Sequence, residues 1–392
     1  MKIPYGIHYL DEADIKSVTV ALRNKFITQG ALIEKFEKKI CKTVNAKYAV
    51  AVSSCTAGLH IAIAAIKKNK LRNEIITSPI SFVSTANTII HNNYKPGFLD
   101  INKKSLNIDY ENFKKLLKKN KKVNAVIPVH FAGLAAESKK IYKLCKKRNI
   151  AVIEDAAHSF GAKYEDGKMV GSCSNSDMTV FSFHPVKTIT TGEGGVITTN
   201  SKSIYYNLLK LRNHGIQKNK IFFKQKKLAY SKNQINPWYY EAQELGFNYR
   251  ITDFQCALGL SQIKKLKSFV AKRKKIANFY DRELKDINNL ELPQYKKRNF
   301  SSNHLYVLNI DFDKIRLNKN QLMKNLLKKG IVTQVHYIPI PLHPYYNKIG
   351  YKMKKLTNAY SYYQKAISIP IFFNLTEKEQ KKIIKAIKDT IK

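Results

Sequence analysis

One lysine stands apart in the stretch from residue 178 to residue 200, MTVFSFHPVKTITTGEGGVITTN. Lysine and arginine fill 70 of the 392 positions, yet Lys187 is the only one of them in this stretch. Burial disfavours the charged form of an amine, so a lysine between an apolar strand and a glycine-rich loop can be neutral and nucleophilic. Such an amine suits a Schiff base with a carbonyl compound. The alternative is a lysine whose ammonium reaches out of a buried hairpin into water.

A carboxylate is the second candidate for chemistry. Asp155 ends the apolar run IAVIED at residues 150–155, and parallel strands deliver their last residues to the ligand crevice of an α/β sheet. A carboxylate there can hold a pyridine nitrogen protonated, so that the ring withdraws electrons from a reacting carbon. The alternative is an aspartate that only caps the turn before Ala156 and Ala157.

A third candidate is the stretch SSCTAG at residues 53–58, between a predicted strand and a predicted helix. Backbone N–H groups at a helix N-terminus, with hydroxyl groups beside them, form a phosphate site. Serine and threonine are also ordinary N-cap residues, which is the alternative for this stretch.

The elements that must position these residues alternate between short apolar runs and amphipathic stretches from residue 45 to residue 200. This alternation is typical of βα units on a mainly parallel sheet, and it predicts an α/β fold with a large domain over residues 1–260. Strands are predicted at 47–53, 74–78, 97–101, 123–129, 150–154, 178–183 and 195–199, with helices at 56–66 and 137–147.

The second half of the chain predicts a long helix and a small α/β domain, together residues 261–392. Residues 217–240 lack clear periodicity, and we expect them to form a mobile excursion from the large domain. The closing helix should open on a capping box formed by Thr376 and Glu379. Between these segments we expect a helix from Thr252 or Asp253 to about Lys285, strands at 305–310 and 331–337, and a helix ending near Gly330.

The formal net charge of +42 raises the possibility of a nucleic-acid or membrane partner. The lysines are, however, spread over nearly every amphipathic helix, and no stretch alternates basic and aromatic residues as a single-strand binding groove does. We therefore expect a lysine-rich composition on solvated faces and no nucleic-acid or membrane partner. A basic nucleic-acid-binding protein is the alternative from another class, but it gives Lys187 and Asp155 no purpose.

Other bulk features favour a cytoplasmic protein. No apolar run reaches the ~20 residues needed to cross a bilayer, and the first residues, MKIPYG, lack the features of a signal peptide. The five cysteines form no CxxC pair and no zinc-like spacing with histidine, so neither a disulfide framework nor a metal site is expected.

Taken together, the motifs resemble the DegT/DnrJ/EryC1 family of sugar aminotransferases over nearly the whole chain. The resemblance implies the type I (aspartate aminotransferase) fold, the cofactor pyridoxal 5'-phosphate (PLP) and a homodimer. Within the family, the chain is similar to the members that use L-glutamate to aminate C4 of a UDP-linked keto-sugar in pseudaminic acid biosynthesis. The stretches that carry the resemblance are IPYG (3–6), FITQG (26–30), TSPISFVSTAN (77–87), PVHFAG (128–133), EDAAHSFGA (154–162), SDMTVFSFHPVKTITTGEGG (176–195), PWYYEAQELGFNYRITD (237–253) and VHYIPI (335–340).

The resemblance also implies roles for individual residues. Lys187 would be the Schiff-base lysine, Asp155 would pair with the pyridine nitrogen, and His158 would lie near the phenolic oxygen of PLP. Phe82 would stack on the ring. The phosphate would be held by Thr56, Ala57, Ser182 and, from the other subunit, Asn248, and the sugar nucleotide would meet Tyr5, His184, Arg250, His336 and Tyr337.

Each role has a structural alternative, such as core packing for Phe82 and His158, packing between domains for His336 and Tyr337, or an interface salt bridge for Arg250. One departure concerns Cys55, which stands where many relatives carry glycine and leaves open how closely this loop approaches the phosphate. Within the enzyme class, the alternatives are amination at C3 or of a dTDP-sugar. A dehydratase branch of the family replaces the lysine with histidine, and Lys187 argues against it.

Overall fold

A sheet of seven strands forms the centre of the large domain in the computed structural model, which describes residues 2–391. The spatial order is β1-β7-β6-β5-β4-β2-β3. Neighbouring strands from β3 to β6 pair in parallel, and β7 runs antiparallel to both β6 and β1. The predicted mainly parallel sheet is confirmed. Its strands are β1 (Tyr48–Val52), β2 (Glu74–Thr77), β3 (Lys95–Phe98), β4 (Val123–Ile127), β5 (Ala151–Asp155), β6 (Met178–Ser182) and β7 (Gly195–Thr199).

Helices cover both faces of this sheet, which is why its strands read as nearly continuous apolar runs. Phe36 and Phe181 belong to the core on one face, and Leu59 and Ile61 to the core on the other. The helices predicted at 56–66 and 137–147 are confirmed within one residue at each end. The helices of this part are α1 (Glu12–Leu22), α2 (Ala31–Val44), α3 (Cys55–Ala65), α4 (Ser84–His91), α5 (Tyr110–Lys119), α6 (Ser138–Lys146) and α7 (Lys202–Arg212).

Strand ends differ from the predicted ends where the chain stays buried after leaving the sheet. Strand β4 ends at Ile127, although Val129 is still buried, and β3 lies at 95–98 rather than 97–101. Beyond β3, Ile101 turns away and forms a bridge with Ile108. An apolar run in the sequence indicates which residues are buried. Because buried residues continue beyond the last hydrogen bond of the sheet, such a run does not fix where the strand ends.

The predicted excursion from the large domain contains short regular pieces. They are β8 (Ile216–Gln217), α8 (Lys226–Ala229), β9 (Tyr230–Ser231), β10 (Gln234–Ile235) and β11 (Glu241–Ala242). The buried carboxylate of Glu241 accepts hydrogen bonds from the backbone N–H groups of Lys224 and Gln225 and from the hydroxyl of Tyr239. The excursion therefore has a defined internal structure, and its mobility stays a prediction.

The long helix α9 (Asp253–Leu284) joins the two domains. Thr252 is its N-cap residue, as predicted, and Gln255 Oε1 accepts a hydrogen bond from the Thr252 backbone N–H at 3.1 Å. The helix packs against α1 and α2 of the large domain and against the closing helix of the small one. The predicted domain boundary at residue 260 lies within α9.

The small domain has an antiparallel sheet in the order β12-β13-β14. The predicted strand at 331–337 is wrong: only Ile331 and Gln334 form isolated bridges, after which the chain turns to the cavity described below. The capping box of the closing helix is confirmed, since the Thr376 N–H donates to Glu379 Oε2 at 2.9 Å and the Glu379 N–H donates to Thr376 Oγ1 at 3.2 Å. The elements are β12 (Leu290–Glu291), β13 (Tyr306–Ile310), α10 (Lys319–Lys328), α11 (Pro344–Lys348), α12 (Thr357–Lys365), β14 (Ala366–Ile369) and α13 (Glu377–Ile391).

Within residues 2–391, none of the helices combines the length and the apolar character that a membrane span requires.

Candidate active site

A cavity of about 690 Å³ lies at the carboxyl ends of β4, β5 and β6, where the chain of the small domain passes over them. Parallel strands present their last residues at this edge of the sheet. The small domain contributes the segment 334–343. Most of the predicted site residues line this one cavity: Tyr5, Thr56, Phe82, Asp155, His158, Ser182, His184, Lys187, His336 and Tyr337.

Lys187 lies in the turn after β6, where its backbone N–H donates to the carbonyl of His184 at 2.9 Å. Its side chain opens onto the cavity. No hydrogen bond or ion pair engages its amine within residues 2–391. Burial lowers the pKa of Lys187 to about 8, although Cys55 and Asp155 act in the opposite direction. A substantial fraction of this amine is therefore neutral and nucleophilic near pH 8.

Asp155 ends β5 with its carboxylate buried beside the cavity. Oδ2 accepts a hydrogen bond from the Thr85 hydroxyl at 2.7 Å, and Oδ1 accepts one from the Ala157 N–H at 3.2 Å. A second hydroxyl, that of Ser81, lies 2.8 Å from the Thr85 hydroxyl. No cation forms an ion pair with this carboxylate in the described part of the chain. A buried carboxylate without a counter-ion fits the protonated nitrogen of a pyridine ring.

His158 is held from both sides of its imidazole ring. The Ala132 N–H donates to Nδ1 at 3.3 Å, so Nε2 carries the proton and donates to the Tyr337 hydroxyl at 3.0 Å. Burial lowers the pKa of His158 well below its ordinary value and keeps the ring neutral. The imidazole of His158 and the hydroxyl of Tyr337 therefore form a hydrogen-bonded pair on the cavity wall, and each carries a proton.

The loop before α3 has the geometry of an oxyanion site. Thr56 is exposed to the cavity at the first turn of α3, and the Ser182 hydroxyl lies across from it at the end of β6. Gly195 makes this arrangement possible, because a Cβ there would lie 2.7 Å from the backbone of Ser54 and Cys55. The hydroxyls and the helix N-terminus together fit a phosphate group.

Ala57 does not line the cavity, and its N–H donates to the Ser54 hydroxyl at 3.1 Å as an ordinary N-cap bond. The structure thus offers Thr56 and Ser182 toward a phosphate more directly than Ala57. Cys55 lines the cavity beside them, and burial raises the pKa of its thiol well above the ordinary value. The thiol is therefore protonated and adds no negative charge to the phosphate site.

Aromatic rings form part of the cavity wall. The ring of Phe82 is 59% exposed, which excludes plain core packing, and its centroid lies 6.2 Å from that of Tyr337. His336 is buried, its Nδ1 lies 2.9 Å from the Ser368 hydroxyl, and its ring lies 5.3 Å from that of Tyr5. Burial lowers the pKa of His336 to about 3, so it contributes a neutral ring to the wall.

Asn248 and Arg250 do not reach the cavity of their own protomer. Asn248 is exposed and forms a bridge with Asn213, whose side-chain oxygen accepts a hydrogen bond from Arg250 at 2.5 Å. The role predicted for Asn248 already required the other subunit, whereas Arg250, predicted to meet the sugar nucleotide, is not brought to this cavity.

Sequence reasoning missed several cavity residues. The ring of His304 is buried 4.5 Å from that of His158, and its Nδ1 has no hydrogen-bond partner within residues 2–391. Nothing in the surrounding SSNHLYV marks this histidine as different from a residue at the start of a strand. Thr85 lies inside the motif TSPISFVSTAN, three residues after Phe82. This short separation could have indicated that it lies near the site. Glu193, Gln334 and His343 also line the cavity.

The sequence model of the DegT/DnrJ/EryC1/StrS aminotransferase family matches residues 8–388. The chain belongs to this family. The chain is similar to the UDP-4-amino-4,6-dideoxy-N-acetyl-beta-L-altrosamine transaminase of Campylobacter jejuni, with 36% identity over 99% of this chain and 96% of the relative. The spore coat polysaccharide biosynthesis protein SpsC of Bacillus subtilis is 35% identical, with 100% of this chain and 97% of SpsC covered.

Among solved structures, the Helicobacter pylori aminotransferase PseC, involved in the biosynthesis of pseudoaminic acid, superposes with a TM-score of 0.90 at 32% identity, covering 100% of this chain and 99% of PseC. The putative sugar aminotransferase Spr1654 of Streptococcus pneumoniae has been solved in a PLP form, with a TM-score of 0.86 at 25% identity, covering 100% of this chain and 98% of Spr1654. The predicted family, type I fold and enzyme class are confirmed, and the PLP form of Spr1654 supports the predicted cofactor.

Proposed function

We propose that this aminotransferase uses PLP to move an amino group from L-glutamate to C4 of UDP-2-acetamido-2,6-dideoxy-β-L-arabino-hexos-4-ulose. The product is UDP-4-amino-4,6-dideoxy-N-acetyl-β-L-altrosamine, an intermediate of pseudaminic acid biosynthesis. The observation that carries the proposal is a lysine with a pKa of about 8 in the same cavity as a buried carboxylate, neither of which has an ion-pair partner within residues 2–391. The relatives named for this product support the choice of sugar.

The residues present fit PLP. Lys187 would bind its carbonyl carbon, Asp155 its ring nitrogen and Phe82 one face of its ring, while Thr56 and Ser182 would hold its phosphate. When bound, the cofactor supplies an electron-withdrawing ring that makes a neighbouring C–H bond acidic.

The chain's own contribution is orientation and proton movement. The neutral Nζ of Lys187 can accept a proton from Cα of the glutamate donor and later deliver one to C4 of the sugar. Nε2 of His158 holds a proton that is directed at the Tyr337 hydroxyl. The Thr85 hydroxyl fixes the Asp155 carboxylate so that its charge needs no reorganisation during the reaction.

The cavity is poor in fixed positive charge for a substrate that carries a diphosphate. Lys187 is the one lysine or arginine among its lining residues in the described chain. We propose that Asn248 and Arg250 of one protomer complete the cavity of its partner, which makes the enzyme a homodimer. Large apolar side chains that are exposed on the excursion and just after it support a buried interface: Ile221, Leu228, Trp238, Tyr240 and Leu245.

The test is to incubate the enzyme with ¹⁵N-labelled L-glutamate and the UDP-4-keto sugar and to follow the product by mass spectrometry and NMR. We expect the label on C4 of the sugar. A dTDP-linked 4-keto sugar and a 3-keto sugar serve as matched alternative acceptors. They are needed because SpsC, whose name specifies no sugar substrate, is as similar to this chain as the named transaminases are. Faster labelling of either alternative acceptor would replace the proposed substrate with that one.

A further inference from the structure

Arg273 is a buried guanidinium in the middle of α9 that no carboxylate pairs with in the part of the chain from 2 to 391. Arg273 is only 3% exposed to solvent. Its Nη1 donates to the backbone carbonyls of Ile371 at 2.8 Å and His304 at 3.2 Å. Two carbonyl dipoles offset a full charge only in part, and an unpaired buried charge is costly. A role beyond packing would explain why a cation is kept at this position.

Arg273 and Lys187 line the same small cavity, of about 10 Å³, and Lys187 is the one residue that it shares with the lining of the main cavity. A space of this size holds at most one water molecule and no carboxylate or phosphate. Its other polar lining residues are His8, Tyr9, Thr188, Thr190 and Gln262, none of which is a carboxylate. No carboxylate side chain therefore lines the space between the two basic groups, and this space has no room for the carboxylate of a donor.

We infer that Arg273 is a positioning residue that keeps the Lys187 amine uncharged, and so able to bind a carbonyl carbon, by holding a fixed positive charge behind it. The inference rests on the proposed function, because it concerns the lysine that would bind the cofactor. An ammonium ion at Lys187 would meet this like charge across a space that has no carboxylate in its lining and room for at most one water molecule.

The other groups around Lys187 make this charge consequential. Burial lowers the pKa of Lys187 most, Asp155 raises it, and Arg273 lowers it further by a smaller amount. Burial keeps the Cys55 thiol protonated and the imidazoles of His158, His304 and His336 neutral, since it raises the pKa of the first and lowers the pKa of the others. Glu193 and His184 lie 4.0 Å apart, both about half exposed or more, and solvent screens their charges.

The experiment measures the pKa of Lys187 in the PLP-free full-length chain by competitive acetylation across pH, with mass spectrometry of the peptide that carries Lys187. The wild type is compared with Arg273→Lys, which keeps the charge, and with Arg273→Gln and Arg273→Met, which remove it. Gln can still donate to a backbone carbonyl, whereas Met cannot. A second readout is the pH midpoint of the visible absorbance band of each holoenzyme.

We expect the midpoint of Lys187 labelling to rise above the wild-type value of about 8 in both neutral variants and to stay near that value in Arg273→Lys. The midpoint of the visible band should move in the same direction. Equal midpoints in Arg273→Lys and the neutral variants would overturn the inference and leave Arg273 a purely structural residue. A wild-type midpoint near the ordinary lysine value of 10.5 would overturn it without any variant. Wild-type protein that binds no PLP would instead contradict the proposed function.

Discussion

The Thr85 hydroxyl donates a 2.7 Å hydrogen bond to Oδ2 of Asp155, and this bond joins the first turn of α4 to the end of β5 inside the cavity. It connects two segments that are 70 residues apart in the chain. The bond orients the carboxylate, which forms no ion pair with a cation in the described chain. A cofactor with a basic ring nitrogen would supply the missing charge.

Substitutions at Asp155 and Thr85 should therefore distinguish the effect of the negative charge from the effect of the carboxylate's orientation. Asp155→Asn keeps an acceptor for Thr85 but removes the negative charge, and we expect kcat to fall by about a hundredfold or more because the ring nitrogen is no longer held protonated. Thr85→Val keeps the charge and loses only its orientation, so we expect a loss of about tenfold. Steady-state kinetics with saturating PLP measures both. Equal losses in the two variants would show that the charge itself has no special role.

Gly195 gives a test of the phosphate loop. Gly195→Ala places a Cβ 2.7 Å from the backbone of Ser54 and Cys55, and we expect it to push the loop away from the end of β6 and weaken PLP binding by about tenfold or more. Gly6→Ala is the matched control, since, apart from its two chain neighbours, no residue from 2 to 391 has an atom within 4 Å of the added Cβ. Fluorescence titration with PLP measures the affinity. Unchanged PLP affinity in Gly195→Ala would place the phosphate elsewhere.

The pKa of Lys187 predicts how PLP binding depends on pH. The amine must be neutral to react, so the rate at which the PLP-free protein binds PLP should rise with pH and level off above about 8. The unfolded chain binds this proton more tightly, with a pKa near 10.5, so the contribution of Lys187 to stability should increase from about pH 8 to pH 10.5. Stopped-flow absorbance measures the binding rate. A rate that keeps rising with pH until about 10.5 would contradict the lowered pKa.

If each active site is built from both subunits, hybrid dimers of two inactive variants should regain activity. Lys187→Ala and the double variant Asn248→Ala/Arg250→Ala should each be inactive or nearly so. Co-expressed and randomly paired, they should recover about a quarter of the wild-type activity, because half of the dimers would contain one intact site out of two. No recovery in hybrids that are verified by native mass spectrometry would mean that each protomer builds its own site.

Local patterns in the sequence were sufficient for the elements that surround Lys187 and Asp155. The apolar runs at residues 48–52 and 151–155 are buried on both faces by helices, and their composition is what such strands require. The same kind of pattern misled at 331–337, where apolar and polar residues alternate but His336 and Tyr337 leave the sheet to line the cavity.

Contacts between distant segments were not predictable in this way. Thr85 is significant only because it meets Asp155, and Arg273 only because α9 brings it to the small cavity behind Lys187. The order of Lys187, Asp155 and the loop at 53–58 along the chain suggested chemistry, whereas the pairing of His158 with Tyr337 required both domains in place.

The most direct test of the central claim is an absorbance spectrum of the purified enzyme with PLP, recorded before and after addition of L-glutamate. The wild type should show a band in the visible violet that moves into the ultraviolet when glutamate donates its amino group. Lys187→Ala should show neither the band nor the change, while Lys202→Ala, an exposed lysine at the start of α7, should behave as the wild type does. A wild type without the visible band, or a Lys187→Ala variant that keeps the glutamate-dependent change, would contradict the assignment of Lys187.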